Sequence, residues 1–396
     1  MPNALALVLI GIFATRLKSF KPDGFTLPEF IKLRLGKKSH LVFITVILIV
    51  QLYSLILHLT ATNMVLTSFT SFSKEILIFL LAITFLILAS MRGIRSSIFT
   101  DIMKILFIII IVLIIVPLTI ASTGGISTIF NGLGGKSGEF RNVLDTNVFL
   151  TFGISVSISL LSAAVIDQQL WQRAFSIKKS EKKAFYYGAL IFFFIPILLS
   201  FLGFIGASRG LNPSNNQLVG YEVISNSLPF FALALFVFTV IITMIAAGAS
   251  ALCAASSIFS VDIYSSYLNK SSTEKDRLRV GRLSMVVMLI IATLVSLIPN
   301  IQLVYLLLLV GAIRGALLVP TYFSIFKKNL SPKGTFYGMI SGILVGLPVF
   351  VYGSLAKKPV VSNIGNLLTL TISLFVILLF NKLYPEYFDF KKLKKK

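Results

Sequence analysis

An all-α membrane protein of many spans is predicted by three features of this 396-residue sequence: its apolar excess, the length of its apolar runs and the placement of its lysines and arginines. Hydrophobic residues make up 56% and charged residues 13%, with a mean hydropathy of +0.94. At that composition a water-soluble chain of this size has too little polar side chain to cover its surface. The apolar runs are about 20 residues long and alternate with short charged loops, the pattern of helices that cross a bilayer. Alternating ten-residue segments, the signature of a membrane barrel, are too few.

The net charge of +22 raises nucleic acid as a partner. The basic residues, however, lie in short loops between apolar runs, and no soluble domain gathers them, so nucleic acid is not expected. Cys253 is alone, which excludes an intrachain disulfide and a cysteine metal cluster. His40 and His58 belong to no metal-spaced group, so no metal centre is expected. No phosphate-binding Walker loop occurs, and no enzymatic or ATP-driven activity is expected.

Taken in order, the spans fall at residues 2–17, 40–68, 74–92, 96–122, 146–168, 182–207, 226–264, 278–298, 300–326, 334–354 and 363–383. The third and fourth require Met91-Arg92-Gly93-Ile94-Arg95 as a tight turn. The seventh is long enough to project from the bilayer or to break near an end. With residues 16–39 as an inner loop and strict alternation afterwards, 29 of the 36 lysines and arginines fall on the inner side and six on the outer. Arg314 alone lies mid-span. Such a bias at every alternate loop fixes both count and orientation. The outer loops at 123–145 and 208–225 are rich in Gly, Ser and Asn and read as plain loop, with short surface helices as the alternative. The terminal KKLKKK reads as a solvated inner tail attracted to anionic lipid.

Five stretches carry a family resemblance. They are Phe25-Thr26-Leu27-Pro28-Glu29-Phe30-Ile31-Lys32-Leu33-Arg34-Leu35-Gly36, then Gly93-Ile94-Arg95 through Thr100-Asp101, and Asp167-Gln168-Gln169-Leu170-Trp171-Gln172-Arg173. Ala254-Ala255-Ser256-Ser257-Ile258-Phe259-Ser260-Val261-Asp262-Ile263-Tyr264 follows, then Pro320 through Lys328 with Gly334 and Gly342. Their order and inner-side placement resemble the sodium:solute symporters, a family of secondary transporters. The resemblance implies an inverted-repeat, broken-helix transporter fold with ten core helices. On that register the first span is core helix two, spans two to nine are core helices three to ten, and the last two are additions. Residues 1–326 then form the transporter core and 327–396 the added helices and basic tail. The leader and core helix one have no counterpart, so a truncated frame is expected, or else a non-transporting remnant or subunit.

The resemblance also implies sodium as the coupling ion, held partly by two hydroxyl residues on core helix eight. Those positions here are Ala246 and Ala247, which carry no side-chain oxygen, while sodium requires oxygen ligands. Thr243 and Ser250 lie one turn away and are the substitutes; a proton is the alternative ion. No other cofactor is implied.

Polar side chains inside the spans mark the remaining candidates. Gln51, Ser54, His58 and Thr62 form one stripe on core helix three, read either as a pathway lining with a proton-carrying His58 or as interhelical bonding. Ser155, Ser159 and Ser162 form a second stripe on core helix six, where the resemblance places solute contacts. Neighbouring Leu160, Ala163 and Ala164 suit a small or apolar-tolerant solute. Arg314 should face an aqueous cavity, a solute anion, or a carboxylate such as Asp167 or Asp101. Asp167, Gln168 and Arg173 read as an inner gate. The expected function is cation-coupled transport of a small solute by a multi-pass protein of the plasma membrane, its other partner being the lipid bilayer.

Overall fold

A computed structural model describes residues 2–21, 26–91, 94–136, 138, 141–142, 145–177, 180–212, 216–299 and 302–395. The inner half begins with α1 (Pro2–Phe20) and the long α2 (Leu27–Phe69). Residues 27–35, read from sequence as loop, are helical. Thr26 caps them by accepting from the Glu29 N–H at 3.1 Å, and Pro28 occupies the first turn, where its missing donor costs nothing. Gly36, at φ 82° and ψ −179°, then turns the chain into the membrane-crossing part of α2. Only glycine holds that conformation without strain, which is why the motif ends on it. Phe25, Arg92 and Gly93 lie outside the described residues, so the expected turn at 91–95 is not tested.

Next come α3 (Lys74–Met91), α4 (Ile94–Ile110) and α5 (Val116–Ser122), the last two joined by a π-helical turn. The first outer loop holds a short helix, α6 (Ile126–Asn131). A single turn, α7 (Thr146–Val148), and a second π turn at Phe149–Gly153 lead into α8 (Ile154–Val165) and α9 (Gln168–Ser176). Then follow α10 (Glu181–Ser208) and a second outer-loop helix, α11 (Val219–Ser227). The seventh span is α12 (Phe230–Ser257), which widens into an eleven-residue π-helical end at Ile258–Leu268. The chain finishes with α13 (Glu274–Ser296), α14 (Leu303–Phe326), α15 (Pro332–Leu355) and α16 (Pro359–Leu383). Among the described residues ten helices are long and apolar enough to cross a membrane, and the bent pair α8–α9 makes an eleventh. All eleven sequence-predicted spans are therefore present.

The helices pack as an interwoven bundle. Contacts join α1 to α10 and α8, α2 to α12, α13 and α14, and α12 to α3 and α4. The apolar core runs from Phe13, Phe30 and Phe43 through Trp171 to Leu317 and Met339. A second cluster seals α2, α3, α12 and α13 around Phe85 and Leu252. Large apolar side chains stay exposed along α10 and α13, such as Leu190, Phe194, Leu283 and Leu294. Such faces suit acyl chains, not water.

The C-terminal segment is docked on the protein, not free in solvent. Leu330 N–H donates to Glu386 O at 3.0 Å and Phe388 N–H to Lys328 O at 3.0 Å. Phe390 stacks on Phe20 at 4.9 Å between ring centres, and Leu393 is buried with it. Arg34 lies 4.6 Å over the Phe388 ring and donates to the Lys327 and Lys328 carbonyls at 3.1 and 3.0 Å. Arg16 donates to the Ile325 carbonyl at 2.8 Å and covers Phe326. These cations meet the carbonyls that the C-terminal end of α14 leaves without helical partners. The lysines suggested a solvated tail; Phe388, Phe390 and Leu393 override them through burial. Phe390→Ala should remove roughly 3 kcal/mol of packing. Tryptic cleavage at Lys391, followed by mass spectrometry, is expected to accelerate strongly; an unchanged rate would show that the ring does not hold the segment.

Candidate functional site

The fifth span breaks where its apolar run gives way to Asp167-Gln168-Gln169. Between α8 and α9, Ile166 and Asp167 leave helical geometry and the axis bends by 43°. Helix ends inside a bundle expose backbone groups that need partners. The Asp167 carboxylate accepts from the Gln169 N–H at 2.9 Å, capping α9. The Trp171 indole donates back to the Val165 carbonyl at 2.9 Å, closing the end of α8. Across on α2, the Gln51 amide donates to Asp167 Oδ1 at 3.2 Å and accepts from the Gln169 amide at 3.2 Å. The Asp167–Trp171 motif thus makes the break and ties it to α2.

The sequence-predicted residues distribute unevenly around this break. Gln51 joins it directly. Ser54 and His58 bond within their own helix, the imidazole Nδ1 meeting the Ser54 carbonyl, and His58 lies within electrostatic reach of Lys104. Thr62 Oγ1 donates to the His58 carbonyl at 2.6 Å. Ser162 Oγ returns its bond to Ile158 at 2.8 Å. Ser159 Oγ is buried and has no hydrogen-bond partner among the described residues. It packs so tightly on α14 that a Cβ at Gly311 would collide with it. Arg314, one turn below Gly311, is 4% exposed and within electrostatic reach of Tyr53 and Asp167. Its Nε and Nη2 have no hydrogen-bond partner among the described residues. It pairs with neither carboxylate expected of it: Asp101 instead binds Arg173 at 2.9 Å and Lys104 at 3.1 Å. Of the predicted inner gate, Arg173 therefore holds α4, Asp167 caps α9, and buried Gln168 leaves both amide atoms without partners.

On α12, Ala246 and Ala247 present methyl groups. Ser250 Oγ donates to the Ala246 carbonyl at 2.9 Å, and Thr243 Oγ1 is buried without a hydrogen-bond partner among the described residues.

Two of the resemblance motifs meet on the inner side. Thr26 Oγ1 donates to Asp262 Oδ1 at 3.2 Å, and His40 Nε2 stands 3.7 Å from the same oxygen. His40 Nδ1 contacts the Tyr267 hydroxyl at 2.5 Å. A cavity of about 560 Å³ opens beside them, lined by Glu29, Lys32, Lys37, Asp262 and Ser266. This knot fastens the Gly36 bend to the π-helical end of α12.

A third polar stripe escaped the sequence reading. Asn363, Asn366, Thr369 and Ser373 on α16 are all buried and face α8 and α14. Asn363 accepts from the Ser155 N–H at 3.2 Å while its amide donates to the Leu150 carbonyl, bridging the π turn that opens α8. Asn366 donates to Ser155 Oγ at 2.7 Å. Ser373 Oγ donates to the Ala316 carbonyl at 2.8 Å. That carbonyl lies four residues before Pro320, whose missing N–H leaves it free. The spacing i, i+3, i+6, i+10 was available in the sequence. Asn363→Leu should leave the buried Ser155 N–H unpaired, at about 1–3 kcal/mol, and take the donor from the Leu150 carbonyl. Amide exchange across 149–155 is expected to rise and the melting temperature to fall, while Thr371→Val, at an exposed position of α16, changes neither.

Comparisons with known proteins agree with this architecture. The chain is 21% identical to the urea-proton symporter DUR3 of Oryza sativa subsp. japonica, over 97% of this chain and 60% of that protein. It is 24% identical to a probable urea active transporter 1 of Schizosaccharomyces pombe, over 98% of this chain and 64% of the relative. It is 23% identical to the sodium/glucose cotransporter of Vibrio parahaemolyticus, over 86% of this chain and 69% of that one. The chain thus spans somewhat under two thirds of the two urea-transporter relatives. A solved Na+-coupled sialic acid symporter, in a substrate-bound outward-open state, superposes with a TM-score of 0.78 at 18% identity. That match covers 98% of this chain and 84% of the symporter. A model of the sodium:solute symporter family matches residues 3–342, and the chain belongs to that family as a multi-pass integral membrane protein.

Proposed function

We propose that this chain is a secondary active transporter that moves a small polar solute across the plasma membrane by alternating access, coupled to a cation gradient. The observation that carries this reading is the break between α8 and α9 with unpartnered polar groups around it. Arg314, Gln168 and Ser159 hold donors and acceptors that the described residues do not satisfy. Buried polar groups in that condition are costly and mark a ligand path. A broken helix facing such groups is the usual build of a midplane site in inverted-repeat transporters. The relatives named for urea and glucose support a small, hydrogen-bonding solute.

Two ions are candidates for coupling. Sodium is supported by the names of the glucose and sialic acid relatives, a proton by that of the rice protein. Sodium demands oxygen ligands, and on α12 the hydroxyls of Thr243 and Ser250 would provide them, because Ala246 and Ala247 have none. The buried Thr243 Oγ1, without a hydrogen-bond partner among the described residues, favours this assignment. In this reading Asp167, Gln168 and Arg173 act as inner-side fastenings that change partners during the cycle, and Gln51 and the α8 serines line the path.

Proteoliposomes holding the full chain test the proposal with radiolabelled urea, glucose and pyruvate under imposed sodium or proton gradients. Gradient-driven uptake of any of them supports transport. No uptake above protein-free liposomes under either gradient would support a non-transporting membrane subunit. With sodium as driver, Thr243→Val should raise the sodium concentration for half-maximal uptake about tenfold, the loss of roughly 1.4 kcal/mol of ligation. A sodium response identical to wild type would exclude Thr243 as a ligand.

A further inference from the structure

Given the transport reading above, we propose that Arg314 is a receptor for a carboxylate on the solute. The guanidinium lies mid-span on α14 and is almost wholly buried. A permanent charge there costs several kcal/mol unless it gains a hydrogen-bonded counter-ion. Nε and Nη2 are its buried nitrogens without a hydrogen-bond partner among the described residues. Those two carry the parallel N–H pair along one side of the guanidinium, the edge that fits the two oxygens of a carboxylate. A lone acceptor would use one donor of that edge and strand the other.

Among the described residues, three acids of the bundle have other partners. Asp167 accepts from the Gln51 amide and the Gln169 N–H. Asp262 is held at the inner knot by Thr26, beside His40, and Asp101 binds Arg173 and Lys104. Asp167 lies within electrostatic reach of Arg314 but takes no hydrogen bond from its Nε or Nη2. Gly311 and Gly315, on either side of Arg314, let α14 pack closely, a Cβ at the first colliding with Ser159 and at the second with Thr369. Ser159 and Gln168 offer further unpartnered groups to a short polar solute.

The test is ligand-induced thermal stabilisation of the purified full chain in lipid nanodiscs. The probes are sodium acetate, lactate and pyruvate against matched sodium chloride, with urea and glucose added in the same sodium chloride. A saturable rise in melting temperature is expected with at least one carboxylate. Arg314→Gln should abolish that rise. Arg314→Lys, which keeps the charge but loses the fork, should weaken apparent affinity about tenfold. Both variants are first checked for a single size-exclusion peak; if Arg314→Gln fails to fold, Arg314→Lys carries the comparison. Stabilisation by urea or glucose alone, by no carboxylate, or by carboxylates equally in wild type and variants would overturn the proposal. Carboxylate binding that depends on Arg314, without uptake into proteoliposomes, would support the site and overturn the transport reading instead.

Discussion

A helix may deviate inside an apolar medium only if some other part of the protein takes up the backbone groups it releases. This structure deviates at several points and closes each with a named side chain. The break after Val165 is closed by Trp171 and Asp167. The π turn before Ile154 is closed by Asn363, more than 200 residues away in sequence. The carbonyl freed by Pro320 is taken by Ser373, and the end of α14 by Arg16 and Arg34. The first of these closures is local and the other three are long-range, and the two made by Asn363 and Ser373 fasten α16 along α8 and α14.

Set beside those closures, the unpartnered groups stand out. Ser159, Gln168 and Arg314 are buried like Ser155 or Ser373, yet no described residue completes their hydrogen bonds. Ser159 and Gln168 lie in the two halves of the broken span, and Arg314 lies on α14, which packs against α8.

Much of the fold was legible because apolar length and charge alternation report directly on the bilayer, and all eleven spans survive. The failures have physical causes. Residues 27–35 carry charges and were read as loop, although Thr26 and Pro28 spell a helix start. The docked C-terminus was masked by its lysines, since composition weighs charge and overlooks three apolar anchors. His40 has partners at 262 and 267, a pairing that no local pattern reveals. In the candidate site, Gln51, Ser159 and Arg314 were found because polar residues in apolar spans are conspicuous. The Asn363 stripe is equally polar, but its partners at 150, 155 and 316 lie far away in sequence, on helices that no local pattern links to it. Asp101, expected beside Arg314, is taken by Arg173 because charge attraction in sequence carries no distance.

The molecule has a single tryptophan, and it is Trp171. Its indole is fully buried and bonded to the Val165 carbonyl across the broken helix. Emission from the unmodified protein therefore originates at one known place, the junction between the two halves of the fifth span. Any movement that parts the indole from that carbonyl or admits water will change the wavelength and quenching of the signal, so the hinge carries its own optical reporter without labelling.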